Sequence, residues 1–135
     1  MDRKRLLKHL AYLMFFIFIL NSIGLKFYLY YLVWYFDIIL HTLGGAWVGL
    51  FFFYLFSRKG DVPKGLKSLV NVLLGVIVVG LLWELYEYIV LNYIGGTPWD
   101  IVDSSHDIIF DTLGGLLAYL YVKKVIMLEH FNKVE

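Results

Sequence analysis

The chain has 135 residues and a net charge of +1, and 61% of its residues are hydrophobic. That apolar share is well above the roughly 45–50% of soluble domains and indicates a membrane protein. The length predicts a single domain over residues 1–135. Cysteine is absent, which excludes disulfides and thiolate metal sites. A soluble nucleic-acid-binding protein is also excluded.

The N-terminal segment predicts a first membrane-spanning helix over about residues 6–23. Several lysine and arginine residues precede an apolar run there. A basic start followed by an apolar run is also typical of a secretory signal peptide. No small-residue cleavage site follows, so we expect this segment to be retained as a span.

The next apolar stretch, from Lys26 to Phe56, is longer than the ~20 residues that cross a bilayer. Aromatic residues are concentrated at its start, as they are at membrane interfaces. We therefore place the second span at about residues 33–56, preceded by an interfacial or loop segment. One long, tilted helix is the alternative.

Two further spans are predicted, over about residues 68–93 and 104–123. A polar loop that contains glycine and proline precedes the third span. The segment Gly95–Pro98 ends the third helix, because glycine and proline interrupt helices. Asp103 or Ser104 can cap the fourth helix. The prediction is an all-α, polytopic bundle of four transmembrane helices.

The distribution of basic residues predicts the orientation of the chain. Eleven of the twelve lysine and arginine residues lie in the N-terminus, in the loop over residues 57–67 or in the C-terminal part. The positive-inside rule then places both termini and this loop in the cytoplasm. Only Lys26 lies on the other side. We expect a multi-pass protein of the plasma or inner membrane.

A short sequence occurs twice. FDIILHTLGG at residues 36–45 is followed by HDIIFDTLGG at residues 106–115. The predicted topology makes these spans parallel, so the chain reads as two helical-hairpin repeats related by a pseudo-twofold axis along the membrane normal. Small residues let membrane helices approach closely. The glycines expected to pack helices in this way are Gly44, Gly45, Gly114 and Gly115.

Ionisable side chains lie within three of the predicted spans. At a rise of ~1.5 Å per residue they fall at similar depth in the outer half of the bilayer. Such groups are costly in a membrane and usually face the interior of the bundle. No lysine or arginine lies at that depth, so bound cations or protons must neutralise most of the charge. The residues are Asp37, His41, Glu84, Glu87, Asp107 and Asp111.

Carboxylates and a histidine on facing helices are typical of metal sites in helical bundles, so these six residues are the candidate metal ligands. Their oxygen-rich chemistry favours Mg²⁺, Mn²⁺ or Ca²⁺, and one imidazole leaves Zn²⁺ or Fe open. Asp100, Asp103 and His106 are expected at the rim of the site. A proton- or ion-handling cluster and purely structural hydrogen bonding are the alternatives.

The motifs resemble those of a known family. Phe36-Asp-x-x-x-His41, Trp83-Glu-x-x-Glu87 and the acidic run that ends in Thr-Leu-Gly-Gly115 resemble the YjdF-like small inner-membrane proteins and, more distantly, VanZ-like proteins. The resemblance covers about residues 34–120. It implies a helical membrane fold and a polar site but names no reaction. The positions that it marks are Asp37, His41, Glu84, Glu87, Asp100, Asp103, Asp107 and Asp111.

Three functions follow from the same cluster. The first is a metal-dependent enzyme acting on a lipid or phosphate-bearing substrate at the outer leaflet, with His41 and Glu84 as candidate catalytic residues. The second is a proton- or cation-coupled carrier. The sequence shows no polar residues on the cytoplasmic side of Gly45 and Gly115 that could form a path, which counts against a carrier. The third is a structural or partner-binding membrane protein. Membrane lipids are the expected partners, and a homo-oligomer is left open.

The topology can be tested with reporter tags. Tags at residue 1, near Gly60 and at residue 135 should all report the cytoplasm, whereas a tag near Gly96 should report the opposite side. Cysteine labelling with a membrane-impermeant reagent provides the measurement. A tag on the other side from its prediction would contradict the parallel arrangement of the two repeats.

Overall fold

The protein is described by a computed structural model over residues 3–57, 65–95 and 98–131, with side chains as far as residue 125. The centre of the predicted basic loop and the residues at Gly96 lie outside this described part. Where the chain is described it forms helices and no strand, which confirms the all-α fold. The helices are α1 Arg3–Lys26, α2 Leu29–Leu32, α3 Phe36–Phe56, α4 Leu66–Tyr93 and α5 Ile101–Phe131.

Each predicted span falls on one helix, and the long apolar stretch between Lys26 and Phe56 is interrupted. Tyr28 adopts the left-handed conformation (φ 56°), and Val33 is extended after the single turn of α2. A non-glycine residue at positive φ ends a regular helix, because its Cβ crowds the main chain. A separate short segment therefore precedes α3, as predicted, and the stretch is not one long helix.

Three helices, α1, α3 and α4, are long and apolar enough to cross a membrane. Their outward faces carry large apolar side chains such as Phe15 and Leu82, which are 65% and 61% exposed. Exposed apolar surface on this scale is typical of a surface that contacts lipid. α5 is not among these three described helices. Its crossing of the membrane stays a prediction.

α3 and α5 run parallel in close contact. Gly45 faces the main chain of Asp111, and a Cβ added at Gly49 would lie 3.1 Å from the Cα of Gly115. The contacts thus advance in the same direction along both helices. Because glycine has no side chain, the two main chains can meet directly at this crossing.

α4 packs on α5 in the opposite direction. A Cβ at Gly80 would lie 2.9 Å from Oδ2 of Asp111, and Val76, one turn earlier in α4, faces Gly115. α4 also contacts α3, so the three helices form one packed unit. This unit positions the ionisable residues.

α1 packs against α3. The indole N–H of Trp47 donates to the main-chain oxygen of Leu10 at 3.0 Å. At the other end of α1, a Cβ at Gly24 would overlap the ring of Phe36. These contacts make α1 antiparallel to α3.

Apolar side chains fill the three-helix unit on the side of the α3–α5 crossing that leads to the C-terminal ends of α3 and α5. Phe53, Val72, Val76 and Val122 are each at most 2% exposed. They form one cluster with residues of α1 such as Leu6. This end of the bundle is therefore closed by packed apolar groups.

The two copies of the repeat do not have matching neighbours. A Cβ at Gly45 would overlap Asp111, and one at Gly114 would overlap the main chain of Thr42. Gly115 instead faces Val76 of α4, and a Cβ at Gly44 would meet nothing within 4 Å. Gly44 thus has no close helix contact, and the pseudo-twofold arrangement of two hairpins stays a prediction.

The glycine pair in α3 offers a matched test of the crossing. Gly45→Ala should lower the free energy of unfolding by about 1–3 kcal/mol, because the methyl group must separate two main chains. Gly44→Ala should leave stability unchanged or raise it by up to about 1 kcal/mol, because alanine favours helix and has open space there. Thermal unfolding in detergent provides the measurement. Equal melting temperatures for the two variants would show that Gly45 is not at the crossing.

Candidate metal centre

Four of the six candidate ligands come from the two parallel helices, and α4 supplies the other two. α3 begins at Phe36, so Asp37 lies in its first turn and His41 one turn further on the same face. Asp107 and Asp111 have the same spacing in α5. The parallel crossing therefore places two pairs of ionisable groups side by side.

His41 lies at the centre of the α3–α5 half of the site. Its Nδ1 is 3.3 Å from Oδ1 of Asp111. Its Nε2 is 3.8 Å from Oδ1 of Asp37 and 3.7 Å from Oδ1 of Asp107. The side chain of Asp37 is 38% exposed, whereas those of the other three residues are largely buried. The site therefore opens past Asp37.

Glu84 is the most isolated acid of the cluster. It is only 5% exposed, and neither of its carboxylate oxygens has a hydrogen-bond partner among the described residues. A buried carboxylate without a partner is strongly unfavourable. A further group must therefore neutralise it, either a proton or a bound cation.

Two groups of three side chains have the spacing of a metal site. Ligand atoms of Asp37, His41 and Asp107 lie within 4.8 Å of one another, and so do those of Glu84, Glu87 and Asp107. Atoms that bind one ion at about 2.0–2.6 Å can be no more than about 5 Å apart. Both groups meet this limit, and Asp107 belongs to both.

Asp111 has a different position from the other predicted ligands. It belongs to neither group within the described part of the chain and lies beside His41 Nδ1. Its second carboxylate oxygen points towards α4 and would lie 2.9 Å from a Cβ added at Gly80. Gly80 was not predicted as a site residue, although its place one turn before Glu84 on α4 could have indicated a close approach there.

Trp83 holds Glu87 in place. Its indole N–H donates to Oε1 of Glu87 at 2.9 Å. Trp83 was not predicted as a site residue, but the spacing of four residues along a helix places the two side chains on one face. Glu87 is half-buried, so this bond fixes a carboxylate at the edge of the site.

The predicted rim residues lie apart from both groups. Asp100 is exposed, and its Oδ1 accepts a hydrogen bond from the amide of Val102 at 2.9 Å at the start of α5. Asp103 and His106 are exposed on the first turns of α5. None of the three rim residues belongs to a group with metal-ligand spacing.

Tyr30 of α2 lies near the open side of the site and was not singled out in the sequence. Its hydroxyl donates to Oδ1 of Asn21, and its ring packs edge-on against Phe36, the neighbour of Asp37. Burial raises the pKa of Tyr30, and the negative charges of Asp37 and Glu87 raise it further.

Positive charge is scarce around this cluster. No lysine or arginine occurs in α3, in residues 68–93 or in residues 101–122. The histidines of these segments are His41 and the exposed His106, and the ion pairs of His41 within the described chain go to Asp37, Asp107 and Asp111. Glu84 and Glu87 have no such partner there.

The helices and the buried ionisable cluster define an all-helical membrane protein with a polar site inside its helix unit. The chain belongs to the family described as "Predicted membrane protein (DUF2238)", which it matches over residues 1–127. That description supports a membrane location and assigns no activity. No curated protein and no solved structure matches the chain.

The role of Trp83 can be separated from simple loss of an indole ring. Trp83→Phe should lower the free energy of unfolding by about 1 kcal/mol, because Glu87 loses a hydrogen bond. Trp34→Phe is the matched control, since Trp34 is 80% exposed, and it should melt like the parent. The measurement is thermal unfolding of both variants in the same detergent. If both lose the same stability, the bond to Glu87 contributes nothing measurable.

Proposed function

We propose that this membrane protein binds a divalent metal ion at the junction of α3, α4 and α5, and that it is an enzyme acting on a lipid or phosphate-bearing substrate. The proposal rests on the environment of the Glu84 carboxylate. It is buried without a partner, and ligand atoms of Glu87 and Asp107 lie within 4.8 Å of one of its oxygens. A cation among these three would bind the oxygens that otherwise have no partner.

Electrostatics favours a cation over the available protein groups. Removing a carboxylate from water costs several kcal/mol even after the protein relaxes, on the order of the stability of a small domain. One protonated His41 offsets at most one of the five negative charges. A divalent ion offsets two charges at once and supplies bonds to several oxygens.

The donor set limits the identity of the ion. Carboxylate oxygens favour Mg²⁺, Mn²⁺ or Ca²⁺, and the imidazole of His41 leaves Zn²⁺ or Fe open. Bound in this way, an ion would polarise a phosphoryl or carbonyl oxygen or activate a water molecule. His41 and Glu84 remain the candidates for proton transfer in such a reaction.

The one-sided opening supports an enzyme over a carrier. Asp37 and Glu87 are the partly exposed members of the cluster, and packed side chains such as Phe53 and Val76 close the bundle on the other side of the crossing. A carrier needs a route to both faces of the membrane. Among the described side chains, the exposed and partly exposed acids all lie on one side of the crossing.

The proposal also covers how the chain is arranged in the membrane. The basic residues support four spans, cytoplasmic termini and a site that opens to the outer side of the inner membrane. Within the family, the motifs around Asp37, Glu84 and Asp111 support a likeness to the YjdF-like proteins. A single domain and an association with membrane lipids complete the proposed arrangement.

The proposal is tested by the melting temperature of Glu84→Gln. If a cation neutralises the cluster, this variant should bind divalent metal more weakly and melt lower than the parent, because the remaining acids lose a shared counter-charge. A chelator should lower the melting temperature of the parent, and added Mn²⁺ should restore it. Asp103→Asn is the matched control, because Asp103 is exposed on α5 and outside both groups. It should respond like the parent.

A shift of the melting temperature in the opposite direction would indicate that protons neutralise the acids. If protons neutralise the acids, Glu84→Gln replaces a shared or neutral acid by a neutral amide, so the variant should melt at the same temperature or higher. The chelator should then have no effect. Such a result would exclude the metal site and, with it, the metal-dependent enzyme.

A further inference from the structure

We propose that the cluster holds two divalent cations that share Asp107 as a bridging ligand, with Asp111 as a positioning residue rather than a ligand. The inference rests on the proposed metal function and adds the number of ions and the division of labour among the acids. Its basis is the geometry of the two groups of side chains, together with the unpartnered carboxylate of Glu84.

The first ion site lies between α3 and α5. Nε2 of His41 faces Oδ1 of both Asp37 and Asp107, at 3.8 and 3.7 Å. These separations are longer than hydrogen bonds. They match the spacing of two ligands around one ion, since bonds of about 2.0–2.6 Å separate neighbouring ligand atoms by roughly 3–4 Å.

The second ion site lies between α4 and α5. Glu84 and Glu87, three residues apart, present their carboxylates on the same face of α4. Asp107 supplies the third ligand from α5. The buried oxygens of Glu84 have no partner among the described residues, whereas Trp83 donates to only one oxygen of Glu87.

Asp107 is the only described residue that belongs to both groups. A carboxylate has two oxygens and about four acceptor positions, so it can bind two ions at once. It is 4% exposed, lies between the α3 and α4 ligands and has no basic partner except His41. Two ions that share one carboxylate lie about 3.5–4 Å apart in known two-metal sites.

Asp111 acts through His41. Its carboxylate lies 3.3 Å from Nδ1, on the side of the ring away from the first ion site. A proton on Nδ1, shared with Asp111, leaves the Nε2 lone pair free to bind the ion. Carboxylates that orient a metal-binding histidine in this way raise metal affinity by about 10–100-fold.

The test is a titration of the purified, metal-stripped full chain with Mn²⁺, followed by electron paramagnetic resonance. The parent should bind about two Mn²⁺ ions per chain and show the spectrum of an exchange-coupled pair. Asp37→Asn and Glu87→Gln should each bind about one ion, with the spectrum of an isolated Mn²⁺. Asp107→Asn should weaken both sites. Asp103→Asn is the control and should retain the coupled pair.

Asp111 is tested in the same titration. Asp111→Leu should weaken the first site by about 10–100-fold while leaving the second unchanged, and Asp111→Asn should recover part of the affinity through its amide oxygen. A purely structural role would weaken both sites together. Size-exclusion chromatography of each variant in detergent identifies any that fail to fold, and Asp37→Asn is expected to fold because Asp37 is partly exposed.

The outcomes separate the two proposals. One Mn²⁺ per chain, lost equally in Asp37→Asn and Glu87→Gln, would overturn the two-ion inference and leave the proposed metal function standing. No Mn²⁺ binding by the parent would overturn both. Two ions without spin coupling would show separate sites and exclude Asp107 as a bridge.

Discussion

The direct main-chain contact of α3 with α5 is the constraint on which the rest of the structure depends. Gly45 and Gly114 have no side chains, so the two helices cross with Asp111 and Thr42 against the opposite backbone. The crossing lies one turn from His41, and it sets the distance between the acids of the two helices. A larger residue at either glycine would move Asp107 away from His41 and separate the groups that form the site.

This close approach brings together more negative charge than the basic side chains of the described helices can neutralise. It concentrates carboxylates in a part of the bundle without lysine or arginine, and His41 pairs with only three of them. Glu84 is left buried and unpartnered within the described chain. Stability and function are therefore linked, because whatever neutralises Glu84 also stabilises the packing of α4 on α5.

Much of the fold could be predicted from the sequence, because long apolar runs and their interruptions determine membrane helices. The convergence of the acids also followed from counting turns, since position along a helix fixes depth. The break at Tyr28 was expected only as one of two alternatives, because a left-handed residue without glycine has no clear sequence signal.

The finer arrangement depends on helix rotation, which the periodicity of nearly uniform apolar helices does not determine. The two glycines of each pair looked equivalent in sequence, yet Gly45 lies at the crossing and Gly44 faces open space. For the same reason, the sequence did not indicate that Asp111 lies beside Nδ1 of His41, whereas Asp37 and Asp107 lie nearer Nε2. The contributions of Gly80 and Trp83 could not be predicted, because they depend on which face of α4 is turned towards the cluster.

The central claim is that a divalent cation neutralises the buried acids. The most direct measurement is the anomalous diffraction of crystals grown with Mn²⁺. The account predicts a peak within about 2.0–2.6 Å of carboxylate oxygens from Glu84, Glu87 and Asp107. A map without a peak there, with the oxygens of Glu84 hydrogen-bonded as a protonated acid, would contradict it.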